Sequence, residues 1–166
     1  MLQHPVKFDY FGYTFLSPVK SFWRSGYHSG LDYNRGSGNS DIGNPVYPIG
    51  KGRVIHASNV VIPGWGRLIV IEHEFIDEHD NRRVVWCRFA HLNRIFVKKG
   101  QLVGPADRIA EVGKSGTTFA HLHCDVSKDR KILQNFYQYI WGWSRDRVKT
   151  FYADIHFMVA NWHDLP

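Results

Sequence analysis

Between Val46 and Val112 the sequence consists of short apolar runs separated by turn residues, and this pattern restricts the possible folds more than any other feature. The runs are rich in Val, Ile and aromatic residues, which favours β-strands, and they include RLIVIEHEF and RRVVWCRFAHL. The turns between them contain Gly, Pro and Asn, as in Pro63-Gly64 and Asp80-Asn81. Because these turns leave no room for the crossover helices that parallel strands require, we predict an antiparallel sheet.

The segments on either side of this region differ from it. Residues 25–44 are rich in Gly, Ser and Asn and have no apolar period, so we predict a long loop, a feature that is often functional in compact domains. After Asp129 the spacing of apolar residues becomes helical, and Ser144 is a plausible N-cap for a further helix. We therefore predict a mainly β single domain, built on an antiparallel β-sheet, with a long N-terminal loop region and short C-terminal helices. The residues at helical spacing are Ile132, Leu133, Phe136, Tyr137 and Ile140.

Size and composition set broad limits on the class of protein. A chain of 166 residues suits one domain and buries roughly two thirds of the surface that the unfolded chain exposes. With 43% hydrophobic and 22% charged residues, the composition is that of a globular protein rather than a disordered one. No run of 18 apolar residues occurs and the N-terminus has no secretion-signal pattern, so we expect neither a membrane span nor an export signal. The net charge of +6 favours anionic partners without specifying one.

The two cysteines, Cys87 and Cys124, are too few and too far apart for a cysteine-based zinc finger or a disulfide scaffold. Regular strands would place Cys87 on the same face as His91, and Cys124 on the face opposite to His121 and His123. We therefore predict two free thiols.

Histidine is the residue type on which the chemistry of this chain depends. The stretch AHLHCD contains His121 and His123, whose side chains point the same way on a strand and lie roughly 7 Å apart along it. Both could bind one metal ion, or one could bind it while the other works beside it, and the spacing leaves both options open. His91, at the end of a predicted strand, is a third candidate. Since the chain has ten histidines, an H-x-H pair is expected by chance roughly 0.6 times and is weak evidence alone.

The stretch GYHSGLDY adds His28 and Asp32 to the candidates. In a fully extended chain their Cα atoms would lie about 13 Å apart, which is too far for both side chains to reach one ion easily. A bend at Ser29-Gly30 is therefore required, and Gly30 makes such a bend cheap.

Taken in chain order, several segments resemble the lysostaphin-type (LytM-like) zinc endopeptidases, which cleave peptidoglycan peptides: GYHSGLD, GNPVYPIGKGRV, WGRLIVIEH, FAHL and AHLH. The resemblance covers about residues 26–127, which leaves an N-terminal extension at 1–25 and a helical C-terminal segment at about 130–166. It implies a lysostaphin-like open sandwich with a groove. It also implies one zinc ion per chain held by His28, Asp32 and His123, with His91 and His121 as catalytic histidines.

The resemblance implies a function as well. The chain would be a zinc-dependent endopeptidase that hydrolyses stem or cross-bridge peptides of bacterial peptidoglycan. Two alternatives remain open. The first alternative is a non-catalytic module of the same fold that binds the cell wall or a partner amidase. The second is a nucleic-acid-binding β domain, which the sequence disfavours because it has no stacking motif of the RNP type.

A cell-wall enzyme of this kind acts outside the cytoplasm. Because no signal peptide is evident, we expect it to be released by lysis, carried on a virion, or part of a longer precursor, and a phage-type lysin (endolysin) with antibacterial action is one such context. The expected partner is bacterial peptidoglycan, with no nucleic acid, and the expected oligomeric state is a monomer.

Some residues around these motifs depart from the family pattern. Cys124 and Asp125 follow the H-x-H pair where the family usually has an aromatic residue and a glutamate, and Phe89 replaces a tyrosine. None of these positions is an expected metal ligand. We therefore predict that the packing under the site is altered and that the metal site itself is retained. Four aromatic residues could form groove walls, or could equally serve in loop packing: Trp23, Tyr27, Tyr33 and Trp65.

Overall fold

The computed structural model describes residues 2–20, 25–133, 135–137 and 140–165. In this part of the chain the structure is mainly β and its strands pair antiparallel, so the predicted fold class is confirmed. The strands are β1 (Tyr10–Phe11), β2 (Pro18–Lys20), β3 (Ser25–Tyr27), β4 (Gly30–Asn34), β5 (Pro45–Val46), β6 (Gly52–Ile62), β7 (Gly66–Ile76), β8 (Arg82–Leu92), β9 (Arg94–Ile95), β10 (Leu102–Val103), β11 (Ala110–Glu111), β12 (Leu122–Ser127), β13 (Tyr152–Ala153) and β14 (His163–Asp164).

The main sheet has the strand order β1-β4-β12-β8-β7-β6-β10, with β13 added to β12 and β14 added to β7. Its long central strands follow one another as hairpins. The turn between β7 and β8 is stabilised by Asp77, whose Oδ1 accepts hydrogen bonds from the backbone N–H groups of His79 and Asn81 at 2.9 Å each. Strand β12 lies between β4 and β8, so two segments that are distant in sequence flank it directly.

Parts of the predicted N-terminal loop are strands. Residues 25–27 form β3, which pairs with β2, and residues 30–34 form β4, which pairs with β12, so the prediction of a continuous loop over residues 25–44 is wrong for these two stretches. Strand β4 has a short alternating pattern: Leu31 and Tyr33 are buried in the core at 2% and 1% exposure, while Asp32 between them points to the opposite face.

The two faces of the sheet carry different packing. One face belongs to the main hydrophobic core, where both cysteines are buried and unbridged, with their Sγ atoms 3.7 Å apart. Burial, with Cys87 nearby, raises the pKa of the Cys124 thiol well above its usual value, so this thiol stays protonated. The other face carries a smaller apolar cluster made of Trp65, Leu68, Val70, Trp86 and Ala90.

The C-terminal segment contains two helices of seven residues, α1 (Arg145–Phe151) and α2 (Ile155–Asn161). Ser144 caps α1 by accepting a hydrogen bond from the N–H of Arg147, as predicted. The described part of the chain contains no helix long and apolar enough to cross a membrane.

The helix predicted from the spacing of residues 132–140 is not formed as such. A 3₁₀ helix ends at Leu133, and Phe136 and Tyr137 lie in a turn; residues 134, 138 and 139 fall outside the described part. Phe136 stacks on His56 with ring centroids 4.4 Å apart, and the hydroxyl of Tyr137 lies 3.1 Å from His56 Nε2. Packing of these rings on the smaller apolar cluster therefore outweighs the helical preference of the segment.

A buried histidine in β7 should make stability depend on pH. His73 has no exposed surface; its Nδ1–H donates to the carbonyl of Lys51 at 2.8 Å, and its Nε2 has no partner among the described residues. Burial lowers the pKa of His73 to about 4, below the ordinary value of 6.5. Between these two pH values the unfolded chain binds a proton at His73 that the folded chain does not bind. The contribution of His73 to the free energy of unfolding is therefore fully present above about pH 6.5 and decreases as the pH drops towards 4.

We expect the free energy of unfolding to be about 2 kcal/mol smaller at pH 5 than at pH 7.5 through this residue. Urea unfolding of the metal-free protein at both pH values, compared with His73→Leu, measures the effect. The variant should lose this part of the pH dependence, whereas His79→Gln, which alters a side chain that is 75% exposed, should keep it. An unchanged pH dependence in His73→Leu would contradict the assignment.

Candidate metal centre

The five residues singled out in the sequence come together in the structure. They line one cavity of about 380 Å³ on the face of the sheet opposite the main core: His28, Asp32, His91, His121 and His123. These side chains come from the loop before β4, from β4 itself, from the end of β8, and from β12 and the residue before it.

Three of them form a compact group of possible metal ligands. Asp32 and His123 are register partners in β4 and β12, and Asp32 Oδ1 lies 2.9 Å from His123 Nδ1. His28 Nε2 lies 3.1 Å from the same carboxylate oxygen and 2.9 Å from His123 Nδ1. Donor atoms around a tetrahedral zinc ion lie about 3.3 Å apart, so the triangle needs only a slight expansion to hold one. Two imidazoles and one carboxylate are also a donor set that suits zinc.

The electrostatics at this point favour positive charge. Burial alone would raise the pKa of Asp32, but hydrogen bonds from His123 and His28 outweigh it and hold that pKa well below its usual value. Burial would likewise lower the pKa of His123, yet Asp125 and Asp32 together raise it to about 9. The carboxylates therefore stabilise a cation in the middle of the group, which agrees with a metal site.

The predicted bend between His28 and Asp32 is present, but glycine is required at position 30 for a different reason. The chain leaves β3 at Tyr27 and enters β4 at Gly30, so His28 turns back towards Asp32. Gly30 does not have a positive φ; instead, a Cβ atom there would lie 2.0 Å from the carbonyl oxygen of Cys124. The residue is needed for the close approach of β4 to β12 rather than for the bend.

His91 reaches the cavity through an irregularity in β8. Arg67 pairs with Leu92 and Ile69 pairs with Phe89, so β8 has one residue more than β7 in this interval. His91 has a φ of 63°, in the left-handed region that residues other than glycine rarely adopt. This bulge turns His91 away from the core face on which Cys87 lies, so the expectation that these two residues share a face is wrong.

His91 and His121 lie beside the group of three with their rings 4.6 Å apart. The Nδ1–H of His91 donates to the carbonyl of Ser115 at 3.1 Å, and that of His121 donates to the carbonyl of Phe119 at 3.0 Å. Burial lowers the pKa of His91 to about 3 and also lowers the pKa of His121. Both rings are therefore neutral near pH 7, with Nε2 free to accept a proton.

The sequence analysis predicts no functional role for two residues that lie behind His123 in the structure. Asp125 was noted only as a departure from a pattern, yet it is fully buried with its Oδ2 3.4 Å from His123 Nε2. Arg88, fully buried in β8, forms an ion pair with Asp125. Burial would raise the pKa of Asp125, but Arg88 and His123 hold it well below its usual value. A buried arginine has no signal in a single sequence, because arginine is normally exposed.

The walls of the cavity are mostly apolar. Tyr27 and Trp65 line it, as considered from the sequence, whereas Tyr33 is buried in the core and Trp23 lies outside the described residues. The cavity also receives Ile140 and Trp141, so the C-terminal segment contributes part of the wall.

Comparison with known proteins places the chain in context. The model of peptidase family M23 matches residues 26–135. Peptidoglycan DD-endopeptidase ShyB of Vibrio cholerae is 38% identical over 100 residues, which make up 60% of this chain and 20% of that protein. The chain thus spans about a fifth of the length of the curated relatives it matches first.

Solved structures show the same fold. A crystal structure of a zinc-containing peptidase from Vibrio cholerae matches with a TM-score of 0.57 and 33% identity, covering 74% of this chain and 35% of that one. The catalytic domain of the antimicrobial peptidase lysostaphin from Staphylococcus simulans matches with a TM-score of 0.54 and 26% identity, covering 71% of this chain and 79% of that domain. The architecture around the cavity is therefore one that is found in peptidases.

Proposed function

Because the chain belongs to peptidase family M23, we propose that it is a zinc-dependent endopeptidase that hydrolyses peptide bonds in bacterial peptidoglycan. The observation that carries this proposal is the arrangement in one cavity of His28, Asp32 and His123, which could hold a metal ion, beside two further histidines. The similarity to an endopeptidase of peptidoglycan supports the substrate class.

The chain's own residues can carry the proton transfers of peptide hydrolysis. When bound, a zinc ion would lower the pKa of a water molecule and polarise the scissile carbonyl. We assign His121 as the general base for that water, because its Nε2 lies 3.9 Å from Asp32 Oδ1 and is free to accept a proton. We assign His91 to stabilise the developing oxyanion or to protonate the leaving amine. Since its Nδ1–H is bound to Ser115, that role requires the proton that His121 takes from the water to pass to Nε2 of His91, whose ring centroid lies 4.6 Å from that of His121.

The cavity also supports a peptide substrate. Its lining is largely apolar and includes Tyr27, Trp65 and Trp141 beside the proposed ligands, so it can bind the side chains of a peptide. A monomer that acts on the cell wall outside the cytoplasm is consistent with this reading. The biological contexts that we propose are a phage-type lysin, released by lysis or carried on a virion, and a domain of a longer precursor.

The alternative is a module of the same fold that binds the wall or a partner amidase without cleaving peptides. Such a module has no need of a complete donor set or of neutral histidines beside it. The intact group of His28, Asp32 and His123 therefore favours the enzyme.

Zinc content and amine release test this proposal together. Protein purified without added metal should contain about one zinc ion per chain and should release new amines from purified peptidoglycan. A chelator should abolish the release and added zinc should restore it, because the metal is required for the chemical step. Zinc without amine release on any wall type would indicate the binding module, and protein that binds no zinc would refute the metal site.

A further inference from the structure

A buried polar network lies directly behind the metal ligand His123. Asp125 follows His123 by two residues on the same face of β12, and neither Asp125 nor Arg88 has any exposed surface. Arg88 donates two hydrogen bonds to the carboxylate of Asp125, from Nε to Oδ1 at 2.8 Å and from Nη2 to Oδ2 at 2.5 Å. Ser29 donates its hydroxyl to Oδ2 at 2.6 Å. The carboxylate is thus fixed in one orientation, with Oδ2 facing His123 Nε2 at 3.4 Å.

We propose that Asp125 and Arg88 are positioning residues for the metal ligand His123, and that Tyr152 extends this support into the C-terminal segment. The proposal rests on the metal site described under the proposed function. A carboxylate behind a metal-binding imidazole fixes which nitrogen carries the proton and how the ring is turned. With a metal ion bound, Asp125 would keep the Nε2–H of His123 directed towards itself and leave the Nδ1 lone pair, on the side of His28 and Asp32, for the ion.

Arg88 also connects this carboxylate to parts of the chain beyond the matched family region. Its Nη2 donates to the hydroxyl oxygen of Tyr152 at 3.1 Å, and its Nη1 donates to the carbonyl of Phe136 at 3.3 Å. Its guanidinium lies over the ring of Trp65, 4.1 Å from the centroid. The family match ends at residue 135, so Tyr152 and Phe136 lie outside it. The C-terminal segment therefore helps to hold the residue that orients a metal ligand.

Stability alone is a poor reason for such a network. Burying an ion pair costs desolvation that its attraction often fails to recover, and apolar residues of similar volume are commonly as good or better. A planar guanidinium, on the other hand, holds a carboxylate at two points and fixes its direction. The arrangement is thus better explained by control of the His123 ring than by folding stability.

Zinc affinity of the whole chain tests the proposal without relying on hydrolysis. Asp125→Asn should weaken zinc binding by roughly 10- to 100-fold, measured by competition with a chromogenic chelator, and should change the visible spectrum of the cobalt-substituted protein. Asp125→Glu, which restores a carboxylate, should recover part of the affinity. Heat denaturation of the metal-free proteins shows whether each variant is folded.

A milder variant keeps the test decisive if Asp125→Asn fails to fold. Tyr152→Phe removes only the hydroxyl that Arg88 contacts, and should weaken zinc binding a few-fold with a smaller spectral change. Tyr137→Phe is the matched control, because its hydroxyl contacts His56 and should leave zinc affinity unchanged. Wild-type zinc affinity and spectrum in folded Asp125→Asn or in Tyr152→Phe would overturn the proposal, as would wild-type protein that binds no zinc. Weakened zinc binding in a protein that hydrolyses no peptidoglycan would support it and refute only the proposed function.

Discussion

Replacing His123 by alanine should remove both zinc and peptidoglycan hydrolysis, whereas replacing His121 should remove hydrolysis and leave zinc bound. His123 Nδ1 is one corner of the triangle of donor atoms, 2.9 Å from each of the other two. Without it only His28 and Asp32 remain, and we expect zinc affinity to fall more than about 100-fold. His121 lies outside the triangle, with its Nε2 3.9 Å from Asp32 Oδ1, so its loss should cost the proton transfer, about 10²- to 10⁴-fold in rate.

Zinc content by atomic absorption and amine release from purified peptidoglycan separate the two roles. His79→Ala is the matched control, since this histidine is largely exposed and should keep both zinc and activity. If His121→Ala lost zinc to the same extent as His123→Ala, His121 would be a ligand and the assignment of roles would be wrong. If His121→Ala kept full activity, the general base would have to be another group.

A metal site at His28, Asp32 and His123 could be proposed from the sequence because the motifs that contain these residues occur in a fixed order along the chain. No single motif was sufficient, since H-x-H and H-x-x-x-D each occur by chance in a chain with ten histidines. The family match over residues 26–135 confirms the resemblance, and the structure brings His28, Asp32 and His123 within one group. The antiparallel sheet was predictable for a related reason, because turn chemistry and strand length exclude crossover helices.

Other features depended on contacts that local sequence does not encode. His91 reaches the cavity only because β8 has an extra residue opposite β7, and nothing in RFAHLN marks a bulge. Arg88 is buried against Asp125, although arginine is normally a surface residue. The helical spacing after Asp129 was overridden because Phe136 and Tyr137 pack on the sheet instead. Each of these is a tertiary effect on a residue whose local preference points elsewhere.

Gly30 shows how a residue can be noticed for one reason and required for another. A Cβ atom at this position would lie 2.0 Å from the carbonyl oxygen of Cys124 and 2.7 Å from Asp125 Cβ. The first of these is a backbone atom of the neighbouring strand, so it cannot move aside as a flexible side chain would. Strands β4 and β12 would have to separate at the Gly30–Asp125 pair, two residues from the Asp32–His123 pair, which provides two of the proposed zinc ligands.

We therefore expect Gly30→Ala to reduce the free energy of unfolding by about 3 kcal/mol or more and to weaken zinc binding in the protein that remains folded. Urea unfolding and zinc competition measure the two effects. Gly104→Ala is the matched control, because its Cβ would meet only Asp107 Oδ2 at 3.9 Å, an ordinary contact, and its φ is not positive. Gly104→Ala should change stability by less than about 1 kcal/mol and leave zinc affinity unaltered. A separation of the strands at this point must carry Asp32 away from His123, so stability and zinc affinity should fall together. If Gly30→Ala kept wild-type stability and zinc affinity, the close approach of β4 to β12 would not be required.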